Sequence, residues 1–499
     1  MKRIVALMIT MALVFTAMPN YAVLNNAGFE GGIHRNERDK KKLKEYKEMI
    51  FITGSPTLLQ GTIEIKESDK KLTYKYKLAS KDNTIAMTRD IDLERLIDDN
   101  TYHRQVMEAN NITKYKETIT IDDEDGRKNY VLTDYRLHNS TIDDNQPVVT
   151  YYQGGWVGTK VYTINGTEGK IIEEITGDIY GYDHYWGGTE TQKIHKDITY
   201  ITEDENYEEQ KQYGYADIDI SFNRTKKMEY FNNLPYQTSF EGGYTLTEQD
   251  ETVMKYSYTL PITNANGRVS RNKIIGEGIE RLETLPTQQK LFIPKFEDTK
   301  GSWAEWDIKR LAGLQVIDGT QKYFGPNLSM KRSEFAKWLV LAMDLVGEEE
   351  QTSRRTSRKQ EEKPELFADI SGEFPDYKYI QAVKEKEIMS GVGNNKFAPD
   401  DNLRRSEAIA IFIRALGLER LAPNPPFRTR FLDDDKIPTW AKKSVYVADL
   451  IGIAKGSTDG YIHPDEYMTK AEAAAFINRY ITYLQEDMKM GYRENIINY

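Results

Sequence analysis

Several residue types are scarce in this sequence, and their scarcity limits what the chain can be. The 499 residues include no cysteine and only 6 histidines, so disulfide bridges and thiolate metal sites are excluded and imidazole ligands are few. The formal net charge of -10 argues against general binding to nucleic acid. We therefore expect no metal, no cofactor and no nucleic-acid partner.

Long apolar runs are also missing, apart from one at the start. Lys2 and Arg3 precede a mostly apolar, uncharged run from Ile4 to Ala17, which is too short to span a bilayer comfortably. Residues 1–22 are therefore predicted to be a secretory signal peptide, with an uncleaved N-terminal anchor as the alternative. After its removal we expect an exported chain without a transmembrane segment.

The next part of the chain changes from a helical to a strand-like pattern. Residues 34–50 are strongly charged, with apolar residues near helical spacing, and predict a charged helix that leads into the following region. From residue 51 to 294, short stretches alternate with period two, as in Leu72, Tyr74 and Tyr76, and the chain holds 33 tyrosines. This pattern predicts an antiparallel, Tyr-rich, all-β region, interrupted by a short helix between Ile91 and Asn110.

The β region shows only weak signs of chemistry, and no catalytic residue is predicted in it. Asp183 and His184 with His195 offer metal-ligand types, but isolated residues of this kind are usually ordinary surface residues. The acidic stretch from Asp122 to Gly126 lacks calcium-loop spacing, so a hairpin turn is the simpler interpretation. An aromatic-rich stretch could stack on sugar rings, although burial in a sheet core is favoured: Tyr151, Tyr152, Trp156, Tyr180, Tyr182, Tyr185 and Trp186.

The C-terminal part is organised by one pattern written three times. Each copy opens with Phe-x-Asp, continues with an apolar helical stretch and a Gly-rich turn with an aromatic residue close before Pro, and ends in a basic-small-Glu triplet that begins a second apolar helix. The three triplets are Arg332-Ser333-Glu334, Arg405-Ser406-Glu407 and Lys470-Ala471-Glu472. Each copy is too small to bury its own apolar stripe, so the three are expected to share one core.

This repeat resembles the S-layer homology (SLH) domain of bacterial surface proteins. The resemblance rests on the Phe-x-Asp openings, on Trp303-Ala304 and Trp440-Ala441, and on triplets close to the family's Thr-Arg-Ala-Glu signature. It implies an all-α bundle with pseudo-threefold symmetry. It also implies non-covalent anchoring to an anionic, often pyruvylated, secondary cell wall polysaccharide or peptidoglycan-linked polymer.

The resemblance further implies which residues line the ligand grooves between neighbouring repeats. They are an Asp, a basic residue and, in two copies, a Trp: Asp298, Trp303, Arg332, Asp369, Arg405, Asp433, Trp440 and Lys470. A cation near a helix N-terminus opposes the helix dipole, so each basic residue is expected to have an internal acid or an anionic ligand as its partner. Each Asp has a helix-capping role as its alternative.

The sequence thus predicts a multidomain, secreted protein of the cell wall or S-layer. Its segments are a signal peptide (1–22), a charged lead-in (34–50), the β region (51–294), three repeats (295–347, 366–421 and 430–484), a charged insertion loop (348–365) and a tail (485–499). The repeats anchor and the β region is displayed, with other surface-layer subunits as further partners. The rival interpretations are a wall-anchored enzyme acting on polysaccharide or peptide, and a structural lattice subunit.

Overall fold

A computed structural model describes residues 30–35, 43–100, 104–123, 126–203, 209–231, 243–263, 269–291, 293–346 and 364–488. The predicted signal peptide, most of the predicted insertion loop and residues 489–499 of the predicted tail lie outside the described residues. Within them, no helix combines the length and apolar content needed to cross a membrane.

The N-terminal part is one antiparallel sheet in which each strand pairs with the next along the chain, in the order β1 to β13, while β14 also pairs with β12. The all-β prediction is therefore confirmed. The strands are β1 (Ile33–His34), β2 (Leu43–Ile50), β3 (Thr57–Ser68), β4 (Lys71–Ala79), β5 (Ile85–Asn100), β6 (Gln105–Asp123), β7 (Gly126–Asn145), β8 (Val149–Ile164), β9 (Gly169–His184), β10 (Gly187–Glu203), β11 (Glu209–Phe231), β12 (Gly243–Thr263), β13 (Val269–Glu283) and β14 (Thr287–Leu291).

Two predicted helices are wrong, because the described residues of both segments lie mainly in strands. Residues 43–50 of the predicted lead-in form β2, where alternate side chains are buried against the sheet core. The segment from Ile91 to Asn110 is covered by β5 and β6, which pair with each other. In both cases apolar residues near helical spacing also fit the period of a half-buried strand, and pairing with neighbouring strands decided the outcome.

The sheet curls into a half-barrel, so that its first and last strands approach each other. Lys47 on β2 bonds to Glu280 at 3.3 Å and to the carbonyl of Arg281 on β13. The segment that precedes β1 enters the interior, where Glu30 is fully buried and accepts a hydrogen bond from Tyr115 on β6 at 2.7 Å. In the described residues, β2 and β13 form no backbone ladder with each other. Side-chain hydrogen bonds link these two strands instead.

Aromatic residues opposite glycines account for part of the tyrosine content. In each case a methyl group on the glycine would overlap the ring of the residue directly across from it, so the ring lies flat over the glycine. Such pairs shield glycine backbone and pin the register of neighbouring strands. The pairs are Trp156 with Gly177, Tyr152 with Gly181, Tyr258 with Gly276 and Tyr256 with Gly278.

A buried network of charges crosses the inner face of the curled sheet. Arg89 on β5 donates two bonds to Glu48 on β2, at 2.7 and 2.9 Å, and one to Glu117 on β6 at 2.7 Å. Lys160 and Lys196 both pair with Glu173. All these side chains are at most 3% exposed.

Two acids of this network have pKa values shifted in opposite directions. Burial raises the pKa of Glu30, whereas in Glu117 the attraction of Arg89 and Lys160 outweighs burial and lowers the pKa to about 2. The carboxylates of Glu48, Glu117 and Glu173 face the three cations Arg89, Lys160 and Lys196. Charges this deeply buried are tolerated only when paired and hydrogen-bonded.

A second buried acid, Glu190 on β10, has its pKa raised to about 8 by burial. Its oxygens accept bonds from Gln192 at 2.6 Å and from Tyr152 at 3.1 Å, but no cation pairs with it among the described residues. The folded chain therefore keeps a proton here that the unfolded chain releases near the ordinary value of 4.5.

Replacing this acid is expected to change how stability depends on pH. The stabilisation provided by the proton on Glu190 is complete below pH 4.5 and is lost as the pH rises through the folded pKa of about 8. Relative to Glu190→Gln, the native chain should therefore lose about 1.4 kcal/mol of unfolding free energy per pH unit in this range. Urea unfolding at several pH values measures the difference. The exposed Glu174→Gln serves as the control, and parallel pH curves for Glu190→Gln and the native chain would contradict the assignment.

The C-terminal part is helical and coincides with the three repeats. Its α-helices are α1 (Glu305–Gly313), α2 (Arg332–Ala342), α3 (Tyr377–Glu385), α4 (Arg405–Leu416), α5 (Thr439–Leu450) and α6 (Lys470–Thr482), so each repeat contributes two. Two short 3-10 helices (Leu418–Leu421 and Asp434–Lys436) and a π-helical turn (Tyr483–Asp487) complete it.

The sheet packs on the C-terminal ends of the second helices of the repeats. The indole N–H of Trp186, in the turn between β9 and β10, donates to the carbonyl of Ala342 at the end of α2, at 2.9 Å. The N–H of Val148 donates to Ala415 at the end of α4, at 3.2 Å. Gln485, just after α6, donates to the carbonyl of Lys226 on β11. The first two bonds satisfy carbonyls that a helix end leaves unpaired, and the residues around these contacts share one apolar core.

Candidate functional site

The Asp of each Phe-x-Asp opening holds the turn before the second helix of its own repeat. Asp298 accepts from the backbone N–H groups of Phe324 and Gly325, at 2.8 and 2.7 Å. Asp369 does the same with Phe397 and Ala398, and Asp433 with Ile462 and His463. In all three copies the second donor has a left-handed φ, between +54° and +76°, and precedes the Pro.

This geometry corrects one detail of the predicted repeat. In the third copy the residue that occupies the aromatic position is Ile462, which is 1% exposed, and Tyr461 is shifted by one. The sequence offered helix capping as the alternative role for the Asp residues. In the structure they cap a turn instead of the start of a helix. For Asp369, burial raises the pKa, but the bonds from Phe397 and Ala398 outweigh it and leave the pKa below its usual value.

Asp433→Asn is expected to destabilise the third repeat. Asn offers one acceptor where the turn presents two N–H donors, so one buried donor loses its partner. The free energy of unfolding should fall by about 1.5–3 kcal/mol. Thermal or urea unfolding measures this, with the exposed neighbour Asp435→Asn as the matched control. Equal midpoints for the two variants would show that the Asp433 carboxylate does not support the turn.

The basic residue of each triplet lies at a junction between repeats and pairs with an internal acid. Arg332 of the first repeat bonds to Glu407 of the second at 3.0 Å, and Arg405 of the second bonds to Glu472 of the third at 2.8 Å. Lys470 of the third bonds to Glu334 of the first at 2.7 Å. The three ion pairs thus connect the repeats in a closed cycle.

The glutamates of the triplets have two tasks. One oxygen of Glu472 accepts from Arg405, while the other accepts from the backbone N–H of Thr469 and completes a capping box at the start of α6. Glu407 likewise divides its oxygens between Arg332 and the N–H of Arg404. The cations at the helix starts therefore have the internal partners that formed one of the two predicted alternatives.

The three junction cations differ in how much of their bonding capacity is used inside the protein. Arg332 is 6% exposed and also donates to the carbonyls of Phe397 and Ser390. Arg405 is 23% exposed; it donates one further bond, from Nε to Ile462, and its Nη2 group shows no protein acceptor among the described residues. Lys470 is 20% exposed and bonds through one of the three N–H donors of an ammonium group.

A ring of backbone hydrogen bonds joins the three repeats at the same level. The N–H of Met330 donates to Met468, that of Leu403 to Met330, and that of Met468 to Leu403, at 2.8 to 2.9 Å. The starts of α2, α4 and α6 therefore meet at this ring, while their ends meet the sheet. About 18 Å, the length of a twelve-residue helix, separates the two levels.

The predicted tryptophans lie at the surface, near the starts of α1 and α5. Trp303 and Trp440 are both more than half exposed. In the second repeat the equivalent place, five residues before the buried Ile380, is taken by Pro375, and the nearby Tyr377 is buried with its hydroxyl on the carbonyl of Pro364. A third exposed tryptophan, Trp306, was not predicted as a site residue and packs edge-on against Tyr230 of the sheet.

In the β region, two acids with raised pKa and a groove of the sheet lie on opposite faces. A groove of about 1210 Å³ crosses β5 to β10 and includes Leu96, Met107, Gln153 and Lys193. Burial raises the pKa of Asp143 to about 7 and that of Glu190 to about 8. The strand pairing places both side chains on the face of the sheet opposite the groove. This groove and these two acids therefore lie on different faces of the sheet.

The residues weighed for metal binding are also dispersed. His195 bonds to Asp217 at 2.7 Å, whereas the ring of His184 accepts from the N–H of Trp186 and Asp183 pairs with Arg224. The described parts of the chain hold no group of three or more His, Asp or Glu residues placed to bind a metal ion.

Comparison with known proteins addresses the repeat region alone. The model of the S-layer homology domain matches residues 295–336, 366–409 and 430–474. An amylopullulanase of Thermoanaerobacterium thermosulfurigenes is 30% identical over 191 residues, which are 36% of this chain and 9% of that protein. The S-layer protein EA1 of Bacillus anthracis is 28% identical over 200 residues, 39% of this chain and 20% of that protein.

A surface-layer 125 kDa protein of Lysinibacillus sphaericus is 27% identical over 183 residues, 36% of this chain and 14% of that protein. The chain thus covers a fifth or less of each of these three relatives, of which one is named as an enzyme and two as surface-layer proteins. The repeats at residues 295–474 are three S-layer homology domains, and they identify the chain as a secreted protein of the cell wall surface.

Proposed function

We propose that the three SLH domains form a pseudo-threefold unit that holds the chain non-covalently to an anionic, pyruvylated secondary cell wall polysaccharide. In this proposal the half-barrel is displayed away from the wall. The observation that carries it is the closed cycle at the starts of α2, α4 and α6, where each repeat contributes a cation to its neighbour.

The orientation of the helices supports this assignment. The starts of α2, α4 and α6 meet at the backbone ring, opposite the sheet, and a helix start carries a partial positive charge. Anionic groups are favoured at such ends. The first amides of these helices donate to carbonyls of the neighbouring repeats. A polymer that approaches this surface would therefore meet the exposed part of the junction cations, in the positive field of the three helix starts.

The predicted ligand residues can be ranked by how many of their N–H donors have no acceptor within the described protein. We propose that Arg405 and Lys470 bind the polymer, because each keeps N–H donors and partial exposure beyond its internal ion pair. Arg332 is buried and uses donors on three different oxygens, so we propose that its main role is to join the first and second repeats. Trp303 and Trp440, both exposed, are proposed to stack on sugar rings.

The test is sedimentation of the full-length chain with native cell-wall sacculi and with sacculi stripped of their secondary polymer. The native chain should pellet only with the intact polymer. The double variant Arg405→Ala with Lys470→Ala should bind at least tenfold more weakly, because charge-assisted bonds to the polymer are lost. The matched control removes two exposed cations of the sheet, Lys75 and Arg136, and should bind like the native chain.

A second comparison tests the tryptophans. Trp303→Ala with Trp440→Ala should weaken binding, whereas Trp306→Ala, which removes an equally exposed ring beside the sheet, should not. Unfolding midpoints of all variants are measured in parallel to confirm that they fold. If the native chain stays in solution with intact sacculi, or pellets equally with stripped ones, wall anchoring through this polymer is wrong.

A further inference from the structure

Among the described strands, β13 is the last of the sheet path, and one of its edges has no partner strand there. In the described part of the chain β13 pairs only with β12, through residues that include Ile275 and Ile279. It runs for 15 residues, which is long for an edge, since edges are commonly shortened or covered to prevent pairing with other chains.

The bonds at one end of this strand show which backbone groups point outward. The carbonyls of Arg281 and Glu283 accept from the side chains of Lys47 and Arg35, which lie across the gap in the half-barrel. Because backbone direction alternates along a strand, the groups of Ile275, Glu277 and Ile279 point the same way. These three residues lie beyond the stretch that Lys47 and Arg35 occupy.

The stretch from Ile275 to Ile279 also exposes large apolar side chains to solvent. Ile275 is 78% exposed and Ile279 is 54% exposed, and both side chains are on the outer face of the sheet. Lys273 and Glu277, on the same face, are exposed as well. An exposed edge that combines free backbone groups with large aliphatic side chains favours addition of another strand.

The charges along β13 complement a second copy of the same strand. If two copies pair antiparallel with Ile275 opposite Ile275, Lys273 of each faces Glu277 of the other and Arg271 lies beside Ile279. Pairing centred on Glu277 would oppose two like charges. Pairing centred on Ile279 would need the carbonyl of Arg281, which Lys47 occupies. The register about Ile275 therefore satisfies the charges and leaves the internal bonds intact.

We propose that β13 is a self-association edge, at which two copies of this chain pair antiparallel about Ile275 and join their sheets. The contact is isologous, so it forms a closed dimer. The proposal concerns the β region and does not depend on binding to the wall, because it is tested in the absence of any wall polymer.

The absence of cysteine from the chain allows a direct test with the full-length protein. Directly opposed residues of a hydrogen-bonded antiparallel pair have Cα atoms about 5.5 Å apart, within the range that a disulfide spans. Under mild oxidation Ile275→Cys should therefore give at least tenfold more covalent dimer than Val157→Cys. Val157 is an exposed control on β8, which has a partner strand on both sides.

The register is tested with a mixture of two variants. Lys273→Cys mixed with Glu277→Cys should form the mixed dimer in preference to either homodimer, since only the mixed pair is directly opposed. Sedimentation velocity of the cysteine-free protein should show that Lys273→Glu weakens the dimer and that adding Glu277→Lys restores it. A monomer at all concentrations, with equal cross-linking at positions 275 and 157, would overturn the proposal. Efficient cross-linking at 275 without the mixed dimer would overturn the register.

Discussion

Arg89→Met is expected to lower the free energy of unfolding by about 3–5 kcal/mol, because it leaves buried carboxylates without their cation. Glu48 and Glu117 receive three of their hydrogen bonds from Arg89, and neither is more than 1% exposed. The methionine fills a similar volume, so the loss reports charge rather than an empty cavity. Urea unfolding followed by tryptophan fluorescence measures the change.

The matched control for this prediction is Arg136→Met on β7, where the arginine is exposed on the outer face. Surface substitutions of this kind usually change stability by about 0.5 kcal/mol or less. A triple variant that adds Glu48→Gln and Glu117→Gln to Arg89→Met removes the unpaired charges and should recover part of the loss. If Arg89→Met and Arg136→Met unfold at the same urea concentration, the buried network does not stabilise the half-barrel.

Trp186→Ala is the second change with a large expected effect, about 3–5 kcal/mol. Trp186 is 2% exposed, packs in the core shared by the sheet and the repeats, and caps α2 through the carbonyl of Ala342. Its removal leaves a cavity at the contact between the two parts of the molecule. We expect heat unfolding of the native chain to be cooperative across both parts, and the variant to show two separate transitions in scanning calorimetry.

Trp306→Ala is the control for this experiment, because Trp306 also lies near the contact but is mostly exposed. Trp186→Phe separates the two contributions, since it keeps most of the ring and removes the indole N–H. A single transition at an unchanged temperature in Trp186→Ala would mean that the sheet and the repeats are joined mainly through other contacts. Arg420 with Asp144, at 3.1 Å, would then be the next pair to test.

The three SLH repeats could be found in the sequence because their landmarks are local. The Phe-x-Asp opening and the basic-small-Glu triplet serve turns and helix starts within a few residues, and these needs recur in every copy. The partner of each cation was harder to predict from the sequence. Both an internal acid and a ligand fitted the sequence, and only the packing of repeat against repeat placed Arg332 beside Glu407, 75 residues away.

In the β region, composition and alternation were enough to predict strands. They were not enough to predict the strand pairing, the buried charge network or the ring–glycine pairs. The segment at residues 43–50 fitted a helical pattern as well as a strand, and its pairing with β3 decided the matter. The network around Arg89 joins residues from six strands and the segment before β1, so no spacing along the chain signals it. The same holds for the ring–glycine pairs, which depend on register between strands.

By itself, then, the sequence determined an exported chain with an antiparallel Tyr-rich sheet followed by three SLH domains, because strand alternation and short turn and cap motifs are local properties. The tertiary structure alone decided that the sheet curls around a buried charge network and rests on the ends of α2, α4 and α6. It also decided that, among the described strands, β13 keeps an edge without a partner. The reason is physical: burial, charge pairing and strand register depend on which distant residues meet, and that is settled only when the whole chain packs.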